Sequence, residues 1–211
     1  MTTPRTDYRN LFCVGRNYRL HAAELGNAVP ESPMIFSKPS HAAVPLDGSA
    51  IALPAGQGAI HYEAELVFLA DRPYEPGIAL HELYAHFAVG LDLTLRDVQD
   101  GLKAKGYPWL AAKGFRHAAP IGRWLPFEAG TDLTEGDFSF RLNGAEVQRG
   151  NVRDMVFGLR ELTDHVGERY GIGPGDLLFT GTPAGVGALR DGDRAELFWL
   201  EQAVGAGAFR I

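Results

Sequence analysis

Ile60-His61-Tyr62-Glu63-Ala64-Glu65-Leu66-Val67-Phe68-Leu69 is the stretch on which the reading of this chain turns. Its β-branched and aromatic residues predict a strand over 60–70, in which successive side chains point to opposite faces. Glu63 and Glu65 then share one face with Val67 and Leu69, while Tyr62, Ala64, Leu66 and Phe68 occupy the other. Apart from the glutamates both faces read as buried, so two like charges stand roughly 7 Å apart along an apolar strand. Buried anions are costly unless they are paired or bound to a metal ion. The alternative is a strand that surfaces at this end and leaves both glutamates in water.

Asp92 bears on that choice. It sits in a second apolar run, Ala88-Val89-Gly90-Leu91-Asp92-Leu93, where a solvated carboxylate is not expected. Three carboxylates, with no cysteine or repeated histidine spacing beside them, suit a hard cation such as Mg²⁺ or Mn²⁺ better than Zn²⁺. Spacing alone does not show that Asp92 meets the two glutamates.

The rest of the chain surrounds these runs with turns. Among its 211 residues are 26 glycines and 13 prolines, which point to many tight turns and a β-rich architecture. Strands are predicted over 11–14, near 34–37 and 50–53, and over 177–180 and 195–200. Asn143-Gly144, inside the alternating segment 138–148, predicts a two-residue type I′ hairpin. Helices are predicted over 17–26, capped by Asn17 and stopped by Gly26, and near 78–87. Further helices are predicted over 95–105, capped by Thr94 and closed by Gly106, and over 155–169. Two turns of helix at 17–26 are marginal alone and are expected to order against another group, such as a ligand. The class is mainly β with a few helices, in one domain.

Composition excludes several roles. A net charge of −6 without a Lys/Arg run argues against a nucleic-acid surface. The single Cys13, read as a small apolar residue of the first strand, excludes an internal disulfide framework. The N-terminal MTTPRTDYRN has no apolar signal core, and no stretch approaches the roughly 20 apolar residues of a membrane span. A cytoplasmic protein is expected.

Other constellations carry possible chemistry. His21 and Glu24 share a helix face, and a carboxylate orienting an imidazole makes a general base, although such pairs also decorate surfaces. Lys113 lies in Pro108-Trp109-Leu110-Ala111-Ala112-Lys113-Gly114-Phe115, either to stabilise a developing oxyanion or to snorkel to water. Gln99, on the helix after Asp92, is unremarkable alone. Thr180-Gly181-Thr182-Pro183-Ala184-Gly185-Val186-Gly187 lacks the Gly-Lys-Ser/Thr of a phosphate loop and reads as a shaped loop.

Together these segments resemble the fumarylacetoacetate hydrolase superfamily, and within it the small acylpyruvase and fumarylpyruvate hydrolase branch. The resemblance is carried by Val14-Gly15-Arg16-Asn17-Tyr18…His21…Glu24, Phe36-Ser37-Lys38-Pro39-Ser40 and His61-Tyr62-Glu63-Ala64-Glu65-Leu66. It continues through Leu91-Asp92-Leu93-Thr94-Leu95-Arg96-Asp97-Val98-Gln99, Pro108-Trp109…Lys113-Gly114-Phe115, Leu142-Asn143-Gly144 and Gly175-Asp176…Thr180-Gly181-Thr182-Pro183-Ala184-Gly185-Val186-Gly187. It implies a β-roll fold, a homodimer, and Mg²⁺ or Mn²⁺ held by Glu63, Glu65 and Asp92. It further implies a His21–Glu24 catalytic pair on a lid over residues 15–30, a catalytic Lys113 and a substrate-contacting Gln99, with Arg16 and Thr182 near the substrate. Leu91, Leu95 and Arg116 depart from residues frequent in the family motifs, at positions that bear on substrate choice. The implied activity is metal-dependent cleavage of the C–C bond of acylpyruvates, small oxo-acids. Oxaloacetate decarboxylation or tautomerisation and 2-hydroxydienoate hydration at the same site are alternatives, and a non-catalytic ligand-binding module is a more distant one.

Overall fold

Ala64–Ala70 is buried along its whole length, as the middle strand of a sheet must be when both its faces are covered. In the computed structural model, which describes residues 7–24, 26 and 28–211, it lies at the centre of an eight-stranded sheet. The order across that sheet is Met34–Lys38, Leu11–Gly15, Leu177–Phe179, Ala64–Ala70, Tyr84–Leu91, Ala119–Ile121 and Ala43–Pro45, with Leu125–Pro126 also paired to Tyr84–Leu91. A five-stranded sheet runs Ala145–Gly150, Phe138–Leu142, Arg194–Trp199, Gln202–Arg210, Asp47–Ala52. A small third sheet joins Gly187–Ala188, Ile60–Tyr62 and Thr94–Leu95. The fold is mainly β with curled sheets and a few helices, as expected. Among the described residues no helix is long and apolar enough to cross a membrane.

The predicted strand over 60–70 is interrupted at Glu63. Ile60–Tyr62 belongs to the three-stranded sheet and Ala64–Ala70 to the large one, so the chain changes sheets at the first glutamate. Buried Gln148, from the five-stranded sheet, covers this break by accepting from the Ala64 backbone N–H at 2.8 Å. Opposite, Tyr84–Leu91 pairs antiparallel with Ala64 facing Leu91 and Glu65 facing Gly90. One step further the Asp92 N–H donates to the Glu63 carbonyl at 2.8 Å. This register carries Asp92 to the glutamates, because residues opposite one another in an antiparallel pair share a face.

Other predictions are corrected. The helix expected near 78–87 is one turn, Leu80–Leu83, after which Tyr84–Phe87 begin the long strand. Aromatic packing outweighs helical spacing there, with Phe87 stacked on Phe68 and the Tyr84 ring tilted against it. Thr94 does not cap the next helix; it lies in the short strand Thr94–Leu95, and the helix runs Arg96–Lys105. Asp97 gives its carboxylate to the Ala59 N–H instead, and Gly106 closes the helix in a left-handed conformation as predicted. The helix expected over 155–169 begins later, at Leu159, and buries Leu162, Thr163 and Val166. The Asn143-Gly144 hairpin is present with both φ values positive, as a type I′ turn requires. Cys13 is buried in the first strand.

Candidate active site

The expected residues converge. Arg16, His21, Glu63, Glu65, Gln99, Lys113 and Thr182 line one cleft of about 400 Å³, counting the space open to solvent. Asp92 lies buried just beneath, and Glu24 reaches the cleft through His21. One oxygen from each of Glu63, Glu65 and Asp92 lies within 4.8 Å of the others, and all three residues are buried.

Three cations neutralise this cluster. Lys113 is only 2 % exposed, so its ammonium does not snorkel to water. Its Nζ bridges Glu63 Oε2 at 2.8 Å and Asp92 Oδ2 at 2.5 Å. Arg96 Nη2 donates to Glu63 Oε1 at 2.6 Å. Lys38 Nζ lies 2.6 Å from Asp92 Oδ1 and donates to the Leu93 and Lys113 carbonyls. Burial alone would raise the Glu63 carboxyl pKa, but Lys113 and Arg96 outweigh it and hold the group well below the usual carboxylate range. Burial would likewise lower Lys113, but Asp92 and Glu63 keep it firmly protonated.

Glu65 differs. Its partner is the Gly181 N–H, which donates at 2.7 Å, and among the described residues no cation forms an ion pair with it. Burial, reinforced by the charge of Asp92, pushes its pKa well above the ordinary value. Asp92 Oδ1, though close to Lys38, has no hydrogen bond aligned on it. The cluster therefore retains carboxylate oxygens with free lone pairs in a buried, all-oxygen setting, which fits a hard divalent cation.

The cleft wall is built by one helix and one segment after the first strand. On Arg96–Lys105, Arg96, Gln99 and Lys103 recur at helical spacing and face the cleft. Arg96 Nη1 donates to Gln99 Oε1 at 2.6 Å, which leaves the Gln99 amide hydrogens for a ligand. Thr182 Oγ1 accepts from Gln148 Nε2 at 2.9 Å, so its hydroxyl hydrogen is likewise available.

Across from this helix, within the segment expected to form a lid, lies the six-residue helix Arg19–Glu24, with Leu25 and Asn27 outside the described residues. It orders against the protein itself. Asn17, rather than capping it, is fully buried and bonds Thr180 O, Phe157 O and Phe157 N–H. His21 Nδ1 stands 3.4 Å from Glu24 Oε2, and Gly185 N–H donates to the same carboxylate. The glycine loop thus gives its amides to protein carboxylates, Glu65 and Glu24. Burial lowers the His21 pKa against the pull of Glu63 and Glu24, so the imidazole is neutral at ordinary pH.

Sequence reasoning assigned no role to Lys38, Arg96 or Gln148, and read Asn17 only as a helix cap. One signal was available for the two cations: three carboxylates buried together require positive partners.

The profile of the fumarylacetoacetate (FAA) hydrolase C-terminal family matches residues 10–207. The mitochondrial oxaloacetate tautomerase of Rattus norvegicus is 38% identical over 190 residues, covering 89% of this chain and 86% of that one. The oxaloacetate tautomerase YcgM of Escherichia coli K12 is 38% identical over 184 residues, covering 86% and 84%. The crystal structure of fumarylpyruvate hydrolase from Pseudomonas aeruginosa, in complex with Mn²⁺ and pyruvate, superposes with a TM-score of 0.87 at 34% identity, covering 97% of this chain and 90% of that one. The β-rich fold, the matched span and these relatives make the chain a member of the fumarylacetoacetate hydrolase family.

Proposed function

We propose that this protein is a divalent-metal-dependent hydrolase that cleaves the C3–C4 bond of an acylpyruvate, a 2,4-dioxo acid, to pyruvate and a carboxylic acid. The observation that carries the reading is His21, 3.4 Å from the Glu24 carboxylate and facing the carboxylate cluster across one cleft. The superposition on a fumarylpyruvate hydrolase supports it.

A divalent cation held by Glu63, Glu65 and Asp92 would serve as Lewis acid and template for the substrate's carboxylate and 2-oxo group. Glu24 accepts the His21 Nδ1 proton, leaving the Nε2 lone pair to take a proton from water directed at C4. Gln99 Nε2, Lys113 Nζ and the Thr182 hydroxyl are the donors available where negative charge develops on oxygen. As the new O–C4 bond forms and C3–C4 breaks, the electron pair passes to C3, and the proton held by His21 completes pyruvate.

A second reading, keto–enol tautomerisation of oxaloacetate, is favoured by the identity to the rat and E. coli tautomerases. The same imidazole would then move a proton between C3 and the 2-oxo oxygen, with no water consumed. The test is turnover of fumarylpyruvate, acetylpyruvate and oxaloacetate by purified protein with Mg²⁺ or Mn²⁺, with and without chelator. Equal yields of pyruvate and acid, abolished by chelator, are expected. Enol–keto interconversion of oxaloacetate with both acylpyruvates left intact replaces the first reading by the second. Turnover indifferent to chelator removes the metal from either.

A further inference from the structure

At the cleft mouth, charge is not balanced as it is inside. Lys38, Arg96 and Lys113 match the three buried carboxylates, but the lining contains two further cations, Arg16 and Lys103. Among the described residues no carboxylate pairs with Arg16. Lys103 has only Asp100, at 3.8 Å and with a side chain 64% exposed, a pairing worth little in water. Both positions are held deliberately. Arg16 has φ of 60°, a left-handed conformation unusual for a residue with a side chain and maintained here by buried Asn17 next to it. The Lys103 ammonium stands 5.5 Å from the centre of the Trp109 ring, which itself lies against Phe36. Burial first, together with the nearby charges of Arg96 and Arg16, lowers the Lys103 pKa against the weaker pull of Asp100 and Glu63, so the group is partly desolvated and its anions do not fully compensate.

Position along the helix supplies a direction. Arg96 binds Glu63 at the cluster, Gln99 is one turn outward, and Lys103 is a further turn out, roughly 10 Å from Arg96 along the axis. A substrate anchored at the carboxylate cluster would extend past Gln99 towards Lys103.

We propose that Lys103, set by Trp109 and aided by Arg16, is a specificity-determining residue that binds a second carboxylate at the far end of the substrate. The inference rests on the oxo-acid reading and names its class: dicarboxylic 2,4-dioxo acids, whose acyl group carries its own acid. Monocarboxylic acylpyruvates leave Lys103 unpaired.

The test compares fumarylpyruvate with acetylpyruvate on the Mn²⁺-loaded protein and its K103M and K103E variants. K103M keeps the apolar stem against Trp109 and removes only charge. Its kcat/KM for fumarylpyruvate is expected to fall about tenfold, chiefly through KM, with acetylpyruvate changed less than about twofold. K103E should lower fumarylpyruvate further. Equal losses on both substrates, or none on either, overturn the subsite while leaving the hydrolase reading intact. A wild-type protein that turns over neither acid overturns that reading, and the subsite with it.

Discussion

The floor and the mouth of this cleft handle charge in opposite ways. On the floor, Glu63 and Asp92 are buried and tied to Lys38, Arg96 and Lys113 at 2.5 to 2.8 Å. At the mouth, Arg16 and Lys103 have no comparable partners among the described residues, and the Glu24 side chain is 34% exposed. Charges on the floor hold each other in place, so removing one strands another out of water. Charges at the mouth are loosely committed and available to a ligand. Glu65 belongs to the floor by burial but resembles the mouth in lacking a counter-charge, which makes it the carboxylate most dependent on an added cation.

The largest effect should come from breaking the floor. Asp92→Asn removes the charge that faces both Lys38 and Lys113, leaving two buried ammonium groups short of a partner. A loss of about 3–5 kcal/mol in urea unfolding is expected, together with loss of metal-dependent turnover. Wild-type stability in that variant would show that the network is not mutually dependent. Next in size is the base. His21→Ala should reduce hydrolysis by roughly 10²–10³-fold, while calorimetric Mn²⁺ binding stays within about twofold. Unchanged hydrolysis removes the lid base from the mechanism.

Parts of this comparison were legible in the sequence. The strand Ala64–Ala70, the hairpin at Asn143-Gly144 and the carboxylates all announce themselves through period-two alternation or a turn-specific pair. The register was not legible, since which residue of Tyr84–Leu91 faces Glu65 depends on long-range pairing. The closing strand Gln202–Arg210 was missed because its Ala-Val-Gly-Ala-Gly-Ala run carries little hydrophobic contrast; pairing on both sides defines it. Lys38 and Arg96 escaped notice because a lone cation has no periodicity. Only the assembled cluster shows that each has an anion to neutralise.

The exceptional position of Glu65 gives a pH test of intermediate size. Its folded-state pKa is raised, by burial first and then by Asp92, above the ordinary glutamate value of 4.5. The native protein therefore holds this proton more tightly than the unfolded chain. That contribution to stability is complete below 4.5 and is lost as pH rises through the folded value. Glu63 has the opposite sign: its folded pKa is depressed, so its contribution is present above 4.5 and lost as pH falls. Glu65→Gln cannot lose a proton. In chelator, wild type should weaken relative to this variant as pH rises from 5 to 8, by up to about 1.4 kcal/mol per unit within the titration range. Parallel stability curves for the two proteins would show that Glu65 is not proton-bound in the folded chain. Conversely, metal affinity in wild type should increase with pH, because a ligand carboxyl must release its proton to bind.

The smallest effect should appear at the mouth, at Glu24. Its carboxylate links the His21 imidazole to the Gly185 amide, a bond that holds this short helix to the glycine loop. Glu24→Gln keeps an oxygen able to accept from both donors but removes the charge that steadies an imidazolium. If Glu24 acts through charge, kcat should fall about tenfold and KM should stay nearly constant, since the group does not line the cleft directly. If it acts only as a latch, Glu24→Gln should behave as wild type and Glu24→Ala should raise KM. Because the side chain is about one-third exposed, stability should change by less than about 0.5 kcal/mol in either variant. A loss as large as that expected for Asp92→Asn would place Glu24 with the floor and erase the distinction between the two regions.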